Sequence, residues 1–371
     1  MPLAPRQLFS THGKPMCWHA LSSCLKTLFC MVLTALMGVL AQTAWAGAYD
    51  AGMTQVEYVD AASGRTLSYM LIYPAAAADG AVPFRMPMTQ GLRLYQDAPA
   101  SPDGARHPLV VLSHGAGGNG SNYAWLGQYL AARGYIVALV HHYRANTYDR
   151  SALYVRSRLW QRPRDISLDI SHLLQDKVWG PRIDPGRIGV AGHSQGGFAA
   201  LWLGGAQINP EAFMRYQRGW KNNPLVPAHI RERMQVDAAP AQHLRDDRVK
   251  AVFAMAPGVI QAFGMDAEGL RQTRVPVHLI VGAADRATPA DENAAFAALH
   301  IPQAQLQLLP GPVGHEIFTN ECDADGRDNY AESCVDAPGV NRADLHQTIG
   351  EAAVAFFEKA FEAQPLSRSN D

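Results

Sequence analysis

One stretch decides the fold: Arg187-Ile188-Gly189-Val190-Ala191-Gly192-His193-Ser194-Gln195-Gly196-Gly197. It begins as an apolar run typical of a buried strand and leads into Phe198-Ala199-Ala200-Leu201, which is typical of a helix. A serine at the centre of such a G-x-S-x-G turn exposes its hydroxyl, and the glycines remove side chains that would clash there. The pattern predicts Ser194 as a catalytic nucleophile; the alternative is a glycine-rich turn that merely packs.

The composition is that of a chain with a large apolar core. Hydrophobic residues make up 48% of the sequence and charged residues 18%, and the formal net charge is -1 at pH 7. Such a chain folds without dense cross-links or metals, and the sequence contains no Lys/Arg run. We therefore expect one globular unit with no electrostatic attraction to nucleic acid or anionic lipid.

The N-terminal region has the pattern of an export signal. Lys26 precedes an apolar run over 28–40, and Ala44-Trp45-Ala46 follows as a small-x-small cleavage pattern. The run of roughly 13 residues is shorter than the ~20 that span a bilayer, so an uncleaved anchor is the weaker alternative. We predict a signal peptide at 1–46, a catalytic domain at 47–371, and an exported, periplasmic or secreted, product with no stable membrane anchor.

The cysteines agree with export. Cys17, Cys24 and Cys30 lie in the removable segment, and Cys322 and Cys334 remain in the mature chain. In an oxidising compartment we expect Cys322 and Cys334 to form a disulfide; two buried free thiols are the alternative.

The order of apolar runs predicts an α/β fold with a mostly parallel, doubly wound sheet, because strands alternate with helices. An antiparallel hairpin is predicted at its start and a helical insert, or lid, at 205–248. Predicted strands lie at 55–60, 66–73, 109–113, 136–140, 187–191, 249–255, 275–281 and 305–309, and predicted helices at 122–133, 163–175, 290–299 and 342–361.

The insert contains apolar residues that include Phe213 and Trp220. Two interpretations stay open: these residues line a substrate pocket, or they pack the insert onto the body. Under the first interpretation Phe213 and Trp220 are candidate substrate-binding residues.

A serine hydroxyl is a poor nucleophile at neutral pH, so Ser194 needs a histidine base and a carboxylate that orients the histidine. In this arrangement the acid is expected after a strand that follows the nucleophile, and the histidine after the last strand. Asp285 follows the predicted strand at 275–281, and His315 follows the last strand, at 305–309. Asp285 and His315 are therefore the predicted partners of Ser194.

Acyl transfer also needs backbone N–H groups that bind the oxyanion. The N–H of Gln195, directly after the nucleophile, is one candidate. The loop His114-Gly115-Ala116-Gly117-Gly118 after the first parallel strand supplies the other, for which we assign Ala116. Glycine-rich loops also cradle phosphates, but this loop has no Lys-Ser/Thr continuation and no G-x-G-x-x-G, so a nucleotide site is disfavoured.

Two further polar groups are candidates for binding. His142 follows the strand at 136–140 toward the same sheet edge and is a candidate for substrate contact; adjacent histidines are poor chelators of one ion. Asp323, Asp325 and Asp328 partly resemble a calcium loop but lack its closing glutamate, so a solvated acidic tip is favoured. We predict no metal and no cofactor.

The nucleophile turn, the loop at 114–118, Asp285 and His315 together resemble the α/β-hydrolase family over nearly the whole chain after the signal. Within that family the chain is similar to exported proteins described as predicted dienelactone hydrolases, which are related to platelet-activating-factor acetylhydrolases. Further points of similarity are Arg162-Pro163-Arg164-Asp165-Ile166, Cys334, Pro338-Gly339 and His346. True dienelactone hydrolases use a cysteine nucleophile where this chain has Ser194, so the label does not fix the substrate.

The resemblance implies hydrolysis of a small-molecule carboxylic ester through an acyl-enzyme, with no cofactor. The sequence thus predicts an exported serine esterase. An amidase, thioesterase or polyester hydrolase with the same triad is the alternative among enzymes, and a catalytically silent binding module of the same fold is the alternative outside them.

Overall fold

The computed structural model describes residues 48–77, 80–151, 159–232, 234 and 244–363. The predicted signal peptide at 1–46 lies outside these ranges, as do residues 235–243 of the predicted insert. None of the helices in these ranges is long and apolar enough to cross a membrane.

One sheet organises the described part of the chain. Its strands are β1 Asp50–Asp60, β2 Arg65–Ala75, β3 Leu94–Gln96, β4 His107–Ser113, β5 Ile136–His141, β6 Ile183–His193, β7 Val249–Met255, β8 Val277–Gly282 and β9 Ala304–Leu309. They lie in the order β3-β1-β2-β5-β4-β6-β7-β8-β9. The strands β1 and β2 form an antiparallel hairpin, β2 joins β5 antiparallel, and all pairs from β5 to β9 are parallel. The predicted, mostly parallel sheet with an antiparallel hairpin is confirmed.

Helices connect the parallel strands and cover the sheet. In the described ranges they are α1 Ala124–Ala131, α2 Gln161–Gln175, α3 Gln195–Leu203, α4 Pro210–Asn222, α5 Ala228–Arg231, α6 Ala267–Arg271, α7 Ala294–His300, α8 Ala324–Asn329, α9 Ala331–Cys334 and α10 Arg342–Glu362. The helix α10 packs on α1, and α2 packs on α3. Every residue of β4, β5 and β8 is buried, as expected for strands that are covered on both faces.

The strand order reverses direction next to β4. From β4 the chain moves to β5 on one side and then returns to β6 on the other side. Because the connections after β4 and β6 diverge, a crevice opens between them at the carboxyl ends of the strands, where ligands bind in open α/β sheets. The predicted site residues Ala116 and Ser194 follow these two strands, and Asp285 and His315 follow β8 and β9.

Candidate active site

Ser194 sits at the junction of β6 and α3 in a backbone conformation that L-residues rarely adopt, with φ 54° and ψ −120°. The turn is tight enough to require glycine on both sides. A methyl group at Gly192 would overlap the carbonyl of Gly196, and one at Gly196 would overlap the carbonyl oxygen of Ser113. A strained, non-glycine residue held by its surroundings in this way is typical of functional sites.

The strand next to β6 fixes the backbone of the serine. The N–H of Ser194 donates to the carbonyl oxygen of Met255 at 3.0 Å, and its own carbonyl accepts from the N–H of Gly258 at 2.9 Å. A methyl group at Gly258 would lie 3.2 Å from Oγ of Ser194. The end of β7 and the loop after it therefore hold the serine on both sides of its Cα, and the loop runs beside the hydroxyl.

His315 and Asp285 form a direct pair. Nδ1 of His315 lies 2.7 Å from Oδ2 of Asp285, whose side chain is fully buried. The other carboxylate oxygen, Oδ1, accepts the N–H groups of Ala287 at 2.9 Å and Thr288 at 2.8 Å. Because a carboxylate can only accept, Nδ1 of His315 carries the proton, and Nε2 is left with a free lone pair that can act as a base.

His193 connects the nucleophile turn with the loop that carries His315. It directly precedes Ser194, and its ring centroid lies 4.5 Å from that of His315. Nε2 of His193 lies 3.1 Å from the carbonyl oxygen of His315. A carbonyl only accepts, so Nε2 carries the proton and Nδ1 must accept. Burial lowers the pKa of His193 well below its usual value, helped by the nearby His315, so the ring stays neutral.

Tyr123 completes this arrangement. Its hydroxyl lies 2.8 Å from Nδ1 of His193 and accepts the N–H of Gly115 at 3.3 Å. Burial raises the pKa of Tyr123, so the hydroxyl keeps the proton that it donates to His193. Hydrogen bonds thus connect the loop after β4, the residue before the nucleophile and the loop that carries His315.

The two predicted oxyanion donors lie next to the serine, one at the start of α3 and the other on the loop after β4. Gln195 is the first residue of α3, so its N–H is free of helical bonding and lies at the positive end of the helix dipole. Ala116 follows Gly115, and a methyl group at Gly115 would lie 3.3 Å from Cβ of Ser194. The loop after β4 therefore passes close to the nucleophile, and Ala116 itself is exposed.

His142 does not contact the crevice, contrary to prediction. The side chain is 1% exposed, and both ring nitrogens are occupied. Nε2 lies 2.7 Å from Oγ of Ser113, and Nδ1 lies 3.1 Å from Oδ2 of Asp165. Burial is also the main reason that its pKa lies well below the usual value. A neutral ring with both nitrogens bonded inside the protein has a structural role, so His142 is withdrawn as a substrate contact.

The two aromatic candidates of the insert lie on α4 and differ. Phe213 is fully buried in the main core, so its side chain has no surface left for a substrate and the prediction for it is wrong. Trp220 is half-buried and packs edge-on against Tyr216. Tyr216 in turn contacts Phe263, which packs on Phe198 of α3. Part of α4 therefore packs the insert onto the body, while Trp220 stays a candidate.

The predicted disulfide between Cys322 and Cys334 is present, with the two Cα atoms 5.5 Å apart. Asp323, at the start of the acidic stretch, caps α8 by accepting the N–H of Gly326. The described residues contain no group of three or more His, Cys, Asp or Glu side chains arranged to hold a metal ion.

Sequence reasoning missed Tyr123 and Thr288. Oγ1 of Thr288 lies 3.0 Å from Oδ2 of Asp285 and 3.3 Å from Nδ1 of His315, so it borders the acid–base pair. A local signal exists for Thr288, because an aspartate that accepts the N–H groups two and three residues later forms a common turn. Tyr123 has no such signal, since its partner His193 lies 70 residues away.

Comparison with known proteins shows similarity to a protein family and to solved structures. The family model described as platelet-activating factor acetylhydrolase, isoform II, matches residues 88–172. The structure of ferulic acid esterase from Streptomyces cinnamoneus superposes with a TM-score of 0.57 at 23% sequence identity, covering 88% of this chain and 94% of that chain. A search of curated proteins finds no match. Together with the sheet topology, the structural likeness confirms the predicted α/β-hydrolase fold.

Proposed function

We propose that this chain is an exported serine hydrolase that cleaves carboxylic esters through an acyl-enzyme, with Ser194, His315 and Asp285 as its catalytic triad. The observation that carries the proposal is the hydrogen bond of 2.7 Å between His315 and Asp285 at the sheet edge where Ser194 occupies its strained turn. The matched family model and the similar solved structure support the reaction class, since the family is described as an acetylhydrolase and the structure as an esterase.

In the acylation step, Oγ of Ser194 attacks the ester carbonyl while Nε2 of His315 removes its proton. The charge moves to the carbonyl oxygen, where the N–H groups of Gln195 and Ala116 stabilise it. Asp285 stabilises the imidazolium through its hydrogen bond to Nδ1. When the tetrahedral intermediate collapses, the bond to the alcohol breaks, and the alcohol leaves with the proton from Nε2.

Deacylation repeats the sequence with water as the nucleophile. Nε2 of His315 removes a proton from water, which attacks the acyl carbonyl on Oγ of Ser194. The acid leaves, and the proton returns to the serine. The triad must keep one tautomer through both halves, and the buried carboxylate of Asp285, bonded to two backbone N–H groups, holds Nδ1 of His315 protonated.

A panel of substrates tests the reaction class. The purified protein is assayed with nitrophenyl esters from acetyl to palmitoyl, with methyl ferulate, and with the matched nitroanilide and thioester of the best acyl group. We expect ester hydrolysis by the wild type and none above background by Ser194→Ala with an unchanged circular dichroism spectrum. Faster cleavage of the anilide or the thioester would replace the ester assignment, and no cleavage of any member would contradict the function.

Export belongs to the same proposal. The disulfide between Cys322 and Cys334 supports it, because such bonds persist in oxidising compartments. The proposed signal peptide at 1–46 predicts that the exported protein begins at Gly47. Expression of the full chain in a Gram-negative host, fractionation and N-terminal sequencing of the recovered protein test this; an intact N-terminus in the membrane fraction would contradict it.

A further inference from the structure

A buried arginine lies beneath the loop that carries Ala116. Arg162, at the start of α2, is 4% exposed. Its Nη1 donates to the carbonyl oxygen of His114, and its Nη2 donates to the carbonyl oxygen of Gly115 at 3.0 Å. The planar guanidinium thus grips two consecutive peptide groups of the loop from inside the protein.

The carbonyl of Gly115 has a second buried donor. Nδ1 of His114 lies 2.6 Å from the same oxygen, and Nε2 of His114 accepts the N–H of His142 at 3.3 Å. Since a carbonyl only accepts, Nδ1 of His114 carries the proton. Burial lowers the pKa of His114 well below its usual value, and Arg162 lowers it further. The ring is therefore a neutral donor, and both lone pairs of the Gly115 oxygen are bonded to buried groups.

Because the peptide unit is planar, a fixed carbonyl of Gly115 also fixes the direction of the next N–H, that of Ala116. In a trans peptide unit the C=O of one residue and the N–H of the following residue point in opposite directions. The carbonyl of Gly115 points inward to Arg162 and His114, so the N–H of Ala116 must point outward. Gly115 passes the nucleophile so closely that a methyl group on it would lie 3.3 Å from Cβ of Ser194. The outward direction is that of the exposed residue Ala116.

The guanidinium itself is held in place. Asp165, three residues later on α2, lies close enough for the charge of Arg162 to lower the pKa of its carboxyl, although burial is the larger effect and raises it. Asp165 also accepts from Arg65 at 2.6 Å and bonds His142, which in turn bonds Ser113 at the end of β4. Arg162 therefore has a compensating charge and a rigid setting, which a positioning group needs.

We propose that Arg162 is a positioning residue that aims the N–H of Ala116 at the oxyanion by holding the carbonyl of Gly115. The inference rests on the proposed function. It makes one prediction that a general structural role does not: loss of the guanidinium weakens binding of the transition state more than binding of the substrate.

The experiment compares Arg162→Met and Arg162→Lys with Arg248→Met. Arg248 also bonds α2, through the carbonyl oxygen of Ser167 and Oγ of Ser171, both at 2.9 Å, but lies outside the network that supports Arg162, so its removal is the matched control. Competent sites are counted by complete reaction with a fluorophosphonate, and kcat and KM are measured for nitrophenyl acetate. The inhibition constant of a trifluoromethyl ketone, which forms a tetrahedral adduct with the serine, is measured beside them.

For Arg162→Met we expect kcat per site to fall roughly 10- to 100-fold with KM changed less than about threefold, because a small misplacement of an oxyanion donor costs a large factor in rate. The inhibition constant of the ketone should rise in parallel with the loss of kcat/KM. The kcat per site of Arg162→Lys should lie between those of Arg162→Met and the wild type, since a lysine ammonium bonds one carbonyl where the guanidinium bonds two. Methylguanidinium should restore part of the activity of Arg162→Ala.

The outcomes separate the two proposals. If the wild type hydrolyses no ester, or Ser194→Ala is active, the proposed function fails. If both behave as expected but the Arg162 variants keep kcat per site within about twofold of wild type, the inference about Arg162 is overturned. Equal losses of kcat per site in Arg248→Met and Arg162→Met also overturn it. If Arg162→Met does not fold, the kcat per site of Arg162→Lys relative to wild type decides the question.

Discussion

The carbonyl oxygen of His315 accepts a hydrogen bond of 3.1 Å from Nε2 of His193, the residue directly before Ser194. The chain position that delivers the proposed nucleophile therefore also anchors the loop that delivers the proposed base. His193 donates this bond only with a proton on Nε2, and it stays neutral because burial lowers its pKa and Nδ1 accepts from the hydroxyl of Tyr123. The relative position of Ser194 and His315 thus depends on one buried phenol.

Replacement of Tyr123 with Phe should loosen that coupling. The substitution leaves the N–H of Gly115 and Nδ1 of His193 without a bonding partner in a buried site, which costs about 1–3 kcal/mol of stability per group. We expect a lower free energy of unfolding and a kcat about tenfold lower, measured by urea titration and nitrophenyl acetate hydrolysis. Tyr148→Phe, at a residue 77% exposed, is the control. Wild-type stability and rate in Tyr123→Phe would contradict the role of the phenol.

Replacement of Asp285 with Asn should preserve the fold and abolish most of the activity. The amide can donate to Nδ1 of His315 and so favour the wrong tautomer, which in a comparable triad lowers kcat roughly 10⁴-fold. The control is Asp291→Asn, which removes an exposed carboxylate shortly after Asp285. Assays of both variants with nitrophenyl acetate check the assignment. A similar kcat in the two variants would remove Asp285 from the triad.

Stability should fall in acid, partly because of His346. Burial lowers its pKa to about 3, and the ring stacks on Trp125 and bonds the carbonyl of Ile317 through Nε2. Between that value and the unfolded pKa of about 6.5, the unfolded chain binds a proton that the native protein does not, so stability decreases as the pH falls through this window. Above it the group contributes no pH dependence.

His346→Asn should flatten this dependence by up to about 1.4 kcal/mol per pH unit. The free energy of unfolding is measured by denaturant titration at several pH values between 4 and 7.5. His229→Gln, at an exposed position of α5, should leave the slope unchanged. Parallel curves for wild type and His346→Asn would show that His346 is not the group responsible.

Loss of the disulfide should lower stability and spare the rate. Cys322 and Cys334 close a segment with a sequence separation of 12, which stabilises by about 3 kcal/mol through the unfolded chain. Arg342 independently bonds the carbonyls of Asn320 and Ser333 near the two cysteines. We expect the double Cys→Ser variant to melt at a lower temperature with kcat/KM close to wild type. Dithiothreitol should lower the melting temperature of the wild type alone; equal stability with and without the bond would contradict this.

The pairing of Asp285 with His315 can be predicted from the sequence because it depends on chain order. Loops that follow parallel strands emerge at one edge of the sheet, and the structure puts Nδ1 of His315 within hydrogen-bonding distance of Asp285. The catalytic roles of these two residues and of Ser194 stay a prediction. The strand pattern is equally informative in the middle of the sheet, since β4, β5, β7 and β8 are mostly apolar and buried, whereas β9 at the sheet edge carries Gln305 and Gln307 and is largely exposed.

The wrong predictions share one cause. A position directly after a strand predicts that a residue lies at the carboxyl edge of the sheet, but it does not predict where the side chain points. The side chain of His142 points into the protein and bonds Asp165, so the predicted contact with the crevice is wrong. Phe213 lies on a helix whose buried face could not be identified from composition. The contact of Tyr123 with the side chain of His193 spans 70 positions, and that of Arg162 with the carbonyl of His114 spans 48, so no local pattern encodes either one.

Reaction of the purified protein with a fluorophosphonate, followed by peptide mapping in a mass spectrometer, tests the triad most directly. We expect one phosphonyl group per chain on Ser194, with hydrolysis lost in the same proportion, and labelling of His315→Ala slowed by orders of magnitude. A label on another residue, or undiminished hydrolysis by Ser194→Ala, would contradict the assignment of Ser194 as the nucleophile.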